Sequence, residues 1–365
     1  MYSIDNDTAK FERALENLRD ADAPFSAEAI YSLSDLAGER LEAFRAVWIG
    51  MPVERRRSLI GRLVETAEMN FELDFSAIIY PALEDSDEQI RRTAIEGIFE
   101  DSPYTVIERL MIMAQEDPYV DIRASAVGAL GQFVLRGELG KLPARLNTRL
   151  QDTVLALYHN PNEDLDVRRR ALEAVSNCGR EGVHELIRAA YYADELPMRV
   201  SAVFAMGRSC DEVWAPQILE ELSSDHPAMR YEAARAAGEL ELRPALARLA
   251  EMVYEDDREI QEMAIWALGE IGGKAARNVL SQLAALADET GDSELADAVA
   301  EAQSAATLSG EDIFPLFDFS DYEDDMDDLD LYDEDGFGDN DDDDDDFDED
   351  VYDGDLWADM DTDES

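Results

Sequence analysis

Basic residues are scarce in this sequence, with 31 Lys and Arg against 86 Asp and Glu and a formal net charge of −55 over 365 residues. Nucleic-acid binding needs Lys and Arg concentrated against phosphates, so we expect no direct nucleic-acid binding, and anionic membrane surfaces would also repel the chain. No apolar run approaches the roughly 18–20 residues that span a bilayer, and the first residues lack the features of a signal peptide. We therefore predict a soluble, cytoplasmic protein that binds no membrane.

Histidine and cysteine are also rare. Cys178 and Cys210 each fall late in a predicted helix, and we expect both to be buried, where a thiol acts as a small apolar side chain. Only one of the three histidines forms a His-Glu pair, His184-Glu185, so no closed set of metal ligands is apparent. Neither a phosphate-binding glycine loop nor a nucleophile motif occurs. The sequence therefore predicts no catalytic residue, no metal and no cofactor.

Six segments repeat one helical pattern, and most of their anchor positions lie 31 residues apart. In each segment an apolar residue precedes an arginine, once a glutamine, and small residues follow at plus three, plus six or both. A period of this size is typical of a stacked array of supersecondary units. The anchors are Arg91, Arg123, Arg168, Arg199, Arg230 and Gln261.

This pattern, with an apolar residue at plus seven and an Asp/Pro turn before it, resembles the HEAT repeat, specifically the HEAT-like repeat of the phycobilisome-lyase type. The resemblance covers roughly residues 71–305. It departs from the family at Gln261 and Asp292, which stand at the arginine position, and at Ser176, where glycine is usual. The resemblance implies an all-α fold, an α-solenoid of HEAT-like helix pairs.

The chain is predicted to have three parts. Residues 1–70, with helical segments Ala29–Trp48 and Val53–Met69, match the repeat poorly and form an N-terminal helical cap. Residues 71–308 form the solenoid. Residues 309–365 form a disordered acidic C-terminal tail, because charge repulsion is high and apolar residues are spread out.

Two irregularities of the repeat carry their own predictions. The step between the second and third anchors is 45 residues, and we place the 14 surplus residues in a longer loop near Arg136–Pro143, where Gly and Pro concentrate. A 31-residue step beyond the last anchor puts Asp292 at the arginine position and Ala298 where Ala267 stood. We interpret this last unit as a capping repeat with a polar outer face.

The arginine series is predicted to be a structural ladder rather than a ligand site. Asp87 with Arg91 and Asp164 with Arg168 lie four residues apart, a spacing that supports ion pairs on a helix surface. The ladder residues are Arg91, Arg123, Arg168, Arg199 and Arg230.

The opposite face of the second helix in each pair is the candidate partner-binding site. We number positions from the anchor residue of each repeat. If the residues at minus one, plus three, plus six and plus seven are buried, helical geometry exposes the residues at plus one and plus five. Second helices usually line the concave surface of HEAT-like arrays, and aromatic residues and arginine dominate interface hot spots. The alternative is that Phe204 and Trp266 turn into gaps between repeats as core residues. The predicted patch is Val200, Phe204, Tyr231, Arg235 and Trp266.

The tail combines 29 acidic residues with regularly placed aromatic residues and contains no Lys or Arg. Such a segment suits a basic protein surface, with the aromatic residues as short-range anchors; the alternative is a solubilising tail with weak divalent-cation binding. The aromatic residues are Phe314, Phe317, Phe319, Tyr322, Tyr332, Phe337, Phe347, Tyr352 and Trp357.

We predict a non-catalytic scaffold that binds a protein partner, with basic surface, on the concave face. Two other classes remain open. One is an enzyme of the HEAT-like class, since the resemblance extends to bilin lyases and to a di-iron hydroxylase that uses several His-Glu pairs. The other is a nucleic-acid-mimic or chaperone-like protein whose function lies mainly in the tail. A catalytic version requires His, Cys or carboxylate groups converging on one face, and the sequence shows no such cluster.

Overall fold

A computed structural model describes residues 2–21 and 23–308, and the predicted tail lies outside the described residues. The described residues form eighteen α-helices and contain no β-strand. The helices are α1 Tyr2–Arg19, α2 Ala27–Tyr31, α3 Gly38–Gly50, α4 Val53–Met69, α5 Ser76–Ala82, α6 Glu88–Glu96, α7 Tyr104–Glu116, α8 Val120–Glu138, α9 Ala144–His159, α10 Leu165–Ala174, α11 Val183–Tyr191, α12 Leu196–Arg208, α13 Ala215–Glu221, α14 Pro227–Glu239, α15 Leu246–Met252, α16 Arg258–Ile271, α17 Gly273–Thr290 and α18 Ser293–Leu308.

From α4 onward the helices form two rows. Each even-numbered helix packs on the next even-numbered helix, and each odd-numbered helix from α5 packs on the even-numbered helix that follows it. We call the odd-numbered members first helices and the even-numbered members second helices. One hydrophobic core includes residues from Phe11 in α1 to Ala306 in α18. The predicted all-α solenoid of helix pairs is confirmed.

The second helices begin where the local sequence satisfies or removes their free N–H groups. The carboxylate of Asp87 accepts a hydrogen bond from the backbone N–H of Ile90 at 3.1 Å, which caps α6. α12 and α14 instead have Pro197 and Pro227 in their first turns, where a missing N–H costs nothing. The Asp/Pro turns of the repeat therefore set where each second helix starts.

Glycine late in the second helices lets neighbouring helices touch through their backbones. A Cβ atom added to Gly207 would lie 2.8 Å from the Cα of Ala236, and one added to Gly269 would lie 2.9 Å from the Cα of Ala302. These distances are too short for a side chain, so only glycine fits the observed helix spacing. The small residues of the repeat are thus explained by the close approach of consecutive second helices.

The last repeat follows a 35-residue step, so the predicted 31-residue alignment is wrong there. Gly269 contacts Ala302 instead of Ala298. The side chain of Asp292 accepts from the N–H of Leu295 at 3.0 Å, which is the capping position and not the arginine position. The reason is the first helix α17, whose 18 residues exceed the lengths of the other first helices.

The surplus residues between the second and third anchors lengthen helices and do not form a long loop. α8 has 19 residues and α9 has 16, and only residues 139–143 connect them. Gly137 lies inside α8, where an added Cβ would overlap the side chain of Asn147 on α9. This glycine therefore allows two long helices to approach each other.

The N-terminal segment also differs from the prediction. The stretch Ala29–Trp48 is divided between α2 and α3 by a turn in which Asp35 and Gly38 have φ values of 54° and 53°. Val53–Met69 forms α4 as predicted, and α4 packs on α6 as the first member of the row of second helices.

Candidate protein-binding surface

The ladder arginines connect consecutive repeats. Arg91 of α6 donates two hydrogen bonds to the carboxylate of Asp117, at 2.9 and 3.0 Å, and one to the backbone oxygen of Asp85 at 2.9 Å. Asp85 belongs to the turn of the same repeat and Asp117 to the turn of the next one. The predicted pair with Asp87 is not formed, because Asp87 caps α6 and binds Arg57 at 2.6 Å.

Other ladder residues repeat this arrangement. Arg123 binds Glu163 at 2.7 Å, and Arg230 binds Glu255 at 2.9 Å, each across to the next repeat. Arg199 lies 3.6 Å from Glu221, which belongs to the first helix α13 of the next repeat. These arginines therefore link consecutive repeats.

Within the described residues, two members of the series make their side-chain hydrogen bonds inside their own repeat. Arg168 donates to the backbone oxygen of Tyr158 at 3.1 Å. The predicted pair of Arg168 with Asp164 is not formed, since Asp164 accepts from the backbone N–H of Asp166 at 2.9 Å. The amide of Gln261 similarly donates to the oxygen of Val253 at 2.7 Å.

The five predicted partner-binding residues lie on three adjacent second helices and are all half-buried. Val200 and Phe204 lie on α12, Tyr231 and Arg235 on α14, and Trp266 on α16. The Cζ atom of Arg235 is 3.9 Å from the centre of the Phe204 ring, a cation–π contact. Neither sequence interpretation, an exposed patch or buried core residues, describes this set fully.

Acidic side chains surround Arg235, and the repeat pattern of the sequence did not point to them. Glu232 lies 3.0 Å and Glu239 3.7 Å from its guanidinium group. Burial raises the pKa of both Glu232 and Glu239 above the ordinary value, although Arg235 opposes the shift. Arg235 therefore sits in a site built from one aromatic ring and two carboxylates.

Tyr231 and Trp266 lie in a separate groove between α14, α16 and α18, with a volume of about 580 Å³. Its lining contains no Lys, Arg or His. A Cβ added to Gly238 would lie 2.7 Å from Cζ3 of Trp266, so one edge of the indole packs on the glycine of α14. We call this the α14–α18 groove, and its lining residues are Tyr231, Glu259, Glu262, Met263, Trp266, Glu270, Ala298, Glu301, Ala302 and Ala305.

A family model for HEAT repeats matches residues 215–303, which include α13 to α17 and most of α18. The chain contains HEAT repeats. All lining residues of the α14–α18 groove except Ala305 fall within this matched segment. The groove lies between the second helices of consecutive repeats. A comparison with curated protein sequences gave no match.

Solved structures similar to this chain include a lyase complex, a hydroxylase and a complex named Kap95:Nup1. The complex of CpcE and CpcF of phycocyanin lyase from Nostoc is 18% identical over 63% of this chain and 93% of that chain, with a TM-score of 0.42. Human deoxyhypusine hydroxylase is 15% identical over 84% of this chain and 98% of that chain, with a TM-score of 0.33. The Kap95:Nup1 complex is 14% identical over 84% of this chain and 47% of that chain, with a TM-score of 0.43.

Histidine and cysteine, the rare residues of the sequence, lie apart from the α14–α18 groove. Among the described residues, no three His, Cys, Asp or Glu side chains form a group that could hold a metal ion. His184 instead packs against Trp214, with ring centres 5.6 Å apart. Cys178 is buried as predicted, whereas Cys210 is exposed at the end of α12, where its φ is 53°. None of the described helices is long and apolar enough to cross a membrane.

Proposed function

We propose that the protein is a non-catalytic scaffold that binds a protein partner on the exposed face of α12, α14 and α16, which we expect to be the concave face. The observation that supports this is the cluster of half-buried aromatic residues and arginine on three consecutive second helices. Such residues supply most of the binding energy in protein interfaces. The close packing of consecutive second helices fixes their backbones, and the half-buried side chains are already partly ordered. Binding a partner therefore costs little conformational entropy.

The acidic tail belongs to the same proposal. Its 29 acidic residues would attract basic surface on the partner from beyond contact distance, within a Debye length of about 8 Å at physiological salt. Long-range attraction of this kind changes mainly the association rate, whereas short-range contacts change mainly the dissociation rate. Tail and helical face therefore have separable effects on binding.

Affinity capture followed by binding kinetics with the purified partner tests the proposal. Deleting residues 311–365 should slow association and weaken its salt dependence. Phe204→Ala and Trp266→Ala should each speed dissociation by about tenfold. The matched control is Tyr192→Ala, which truncates an aromatic residue that is 72% exposed at the end of a first helix.

The proposal fails if the tail deletion leaves capture unchanged in low salt and both alanine variants dissociate like the unaltered chain. Circular dichroism establishes that the variants remain helical. A partner released equally by Tyr192→Ala would place the binding surface on the first helices instead.

A further inference from the structure

The α14–α18 groove combines an apolar strip with carboxylates. Tyr231, Met263 and Trp266 supply aromatic and thioether surface, and the small residues Ala298 and Ala302 of α18 leave room beside them. Four glutamates complete the lining, three of which are exposed and one half-buried. The groove therefore offers apolar surface for a side-chain stem and anionic groups for its end.

Three of these carboxylates lack a cation within the described part of the chain. Glu262 binds Arg258 at 2.8 Å, and Arg258 also binds Asp292 at 3.1 Å. Glu259, Glu270 and Glu301 make no ion pair with any described residue. The ladder arginines, by contrast, are mostly paired with acids.

On the neighbouring part of the same face, an aromatic ring and carboxylates already bind an arginine side chain of this protein. There the guanidinium of Arg235 lies over the ring of Phe204, with Glu232 and Glu239 beside it. The α14–α18 groove has the corresponding parts, an aromatic ring and carboxylates, but its lining has no cation of its own.

We infer that the α14–α18 groove binds a basic segment of the protein partner and receives an arginine side chain, whose stem lies along Met263 and Trp266 and whose guanidinium lies between Glu270 and Glu301. This inference rests on the proposed function and specifies the chemistry of the partner. Arginine is favoured over lysine because its planar group stacks on indole and binds carboxylates through two N–H groups. The chain's own C-terminal segment is an unsuitable occupant, since it contains acids and no Lys or Arg.

Fluorescence anisotropy with the full-length protein tests this inference. The probe is a labelled peptide of alternating arginine and leucine, compared with the same peptide carrying citrulline, which has nearly the same shape without the charge, and with a lysine version. We expect the arginine peptide to bind about tenfold more tightly than the citrulline peptide, a factor within the range of a cation–π contact joined to charge pairing. The lysine peptide should fall between them.

Variants assign the binding to the groove. We expect about tenfold weaker binding of the arginine peptide by the double variant Glu270→Gln with Glu301→Gln. The single variant Trp266→Leu should lower the affinity by a similar factor. The control pair Glu16→Gln with Glu68→Gln removes the same two charges from exposed sites on α1 and α4, and it should stay within about twofold. Equal binding of arginine and citrulline peptides, or an equal effect of the two double variants, would overturn the inference.

This result is independent of partner capture. If Phe204→Ala releases a captured partner while Glu270→Gln with Glu301→Gln has no effect and the peptides do not bind, the groove inference is wrong and the scaffold stands. If the arginine peptide binds the groove but no partner depends on Phe204 or Trp266, the scaffold proposal fails and the groove site stands.

Discussion

Replacing Arg91 with glutamine should destabilise the array by about 3 kcal/mol, because a buried carboxylate would lose its cation. The side chains of Arg91 and Asp117 are only 9% and 6% exposed, and two N–H groups bind the two carboxylate oxygens. Removing one member of a buried ion pair costs about 3–5 kcal/mol. Arg91 and Asp117 belong to consecutive repeats, so the lost pair weakens the packing of one repeat on the next.

We expect the lower end of that range for two reasons. A glutamine at this position could still donate to the backbone oxygen of Asp85, as Gln261 does to Val253 at 2.7 Å. The carboxylate of Asp117 also keeps the hydrogen bond from the N–H of Tyr119 at 3.0 Å. Part of the charge is therefore still stabilised in the variant.

Arg92→Gln is the matched control on the same helix. Arg92 is 56% exposed and lies 3.7 Å from Glu96, which is 55% exposed. A solvent-exposed pair of this kind contributes about 0–1 kcal/mol. The chemical change is the same in both variants, so their difference isolates the buried pair.

Urea denaturation followed by circular dichroism measures the difference. The free energy of unfolding should be about 2–3 kcal/mol lower for Arg91→Gln than for Arg92→Gln. Because each repeat contacts only its neighbours, unfolding in parts would show as a lower slope, and the slopes must be compared as well. A difference below about 1 kcal/mol at equal slope would mean that the buried Arg91–Asp117 pair contributes no more than an exposed one.

Two further predictions concern the backbone contacts and pH. Gly207→Ala should cost about 1–3 kcal/mol in urea denaturation, because the added methyl group would overlap α14; the control Gly128→Ala, where no atom lies within 4 Å, should be neutral or stabilising. The hydrogen bond from Arg57 lowers the pKa of Asp87, so its contribution to stability is present above the unfolded pKa and is lost as the pH falls through the folded value. Asp87→Asn should therefore be less stable than the unaltered chain at pH 7, with the gap closing below about pH 4; an unchanged gap at low pH would contradict this.

The helices of the repeats could be predicted because burial repeats with a fixed period. α11 and α16, for example, each coincide with a segment of helical apolar spacing. Helix length at irregular points was not predictable from that pattern. Gly137 was interpreted as a loop residue, but the close approach of Asn147 explains it inside α8.

The partners of the ladder arginines could not be found from spacing along one helix. The pairs Asp87–Arg91 and Asp164–Arg168 have suitable spacing, yet helix capping uses both aspartates. The observed partner of Arg91 is Asp117, 26 residues further along the chain. Tertiary contacts between turns decide these pairs, and a helix-surface rule does not include them.

The register of α18 determines how much of the groove the sequence could show. With the 31-residue step, the plus-five position after Trp266 would be Asp297. The 35-residue step found in the structure extends the row to Glu301, so this position supplies Phe204, Arg235, Trp266 and Glu301 on consecutive second helices. Aromatic rings thus alternate with charged groups along one face. The first ring has its cation from the chain itself, and the second ring, beside Glu301, has none in its groove lining. The same repeat position therefore supplies both the Arg235 contact within the protein and the part of the groove that we propose as the site for a partner's arginine.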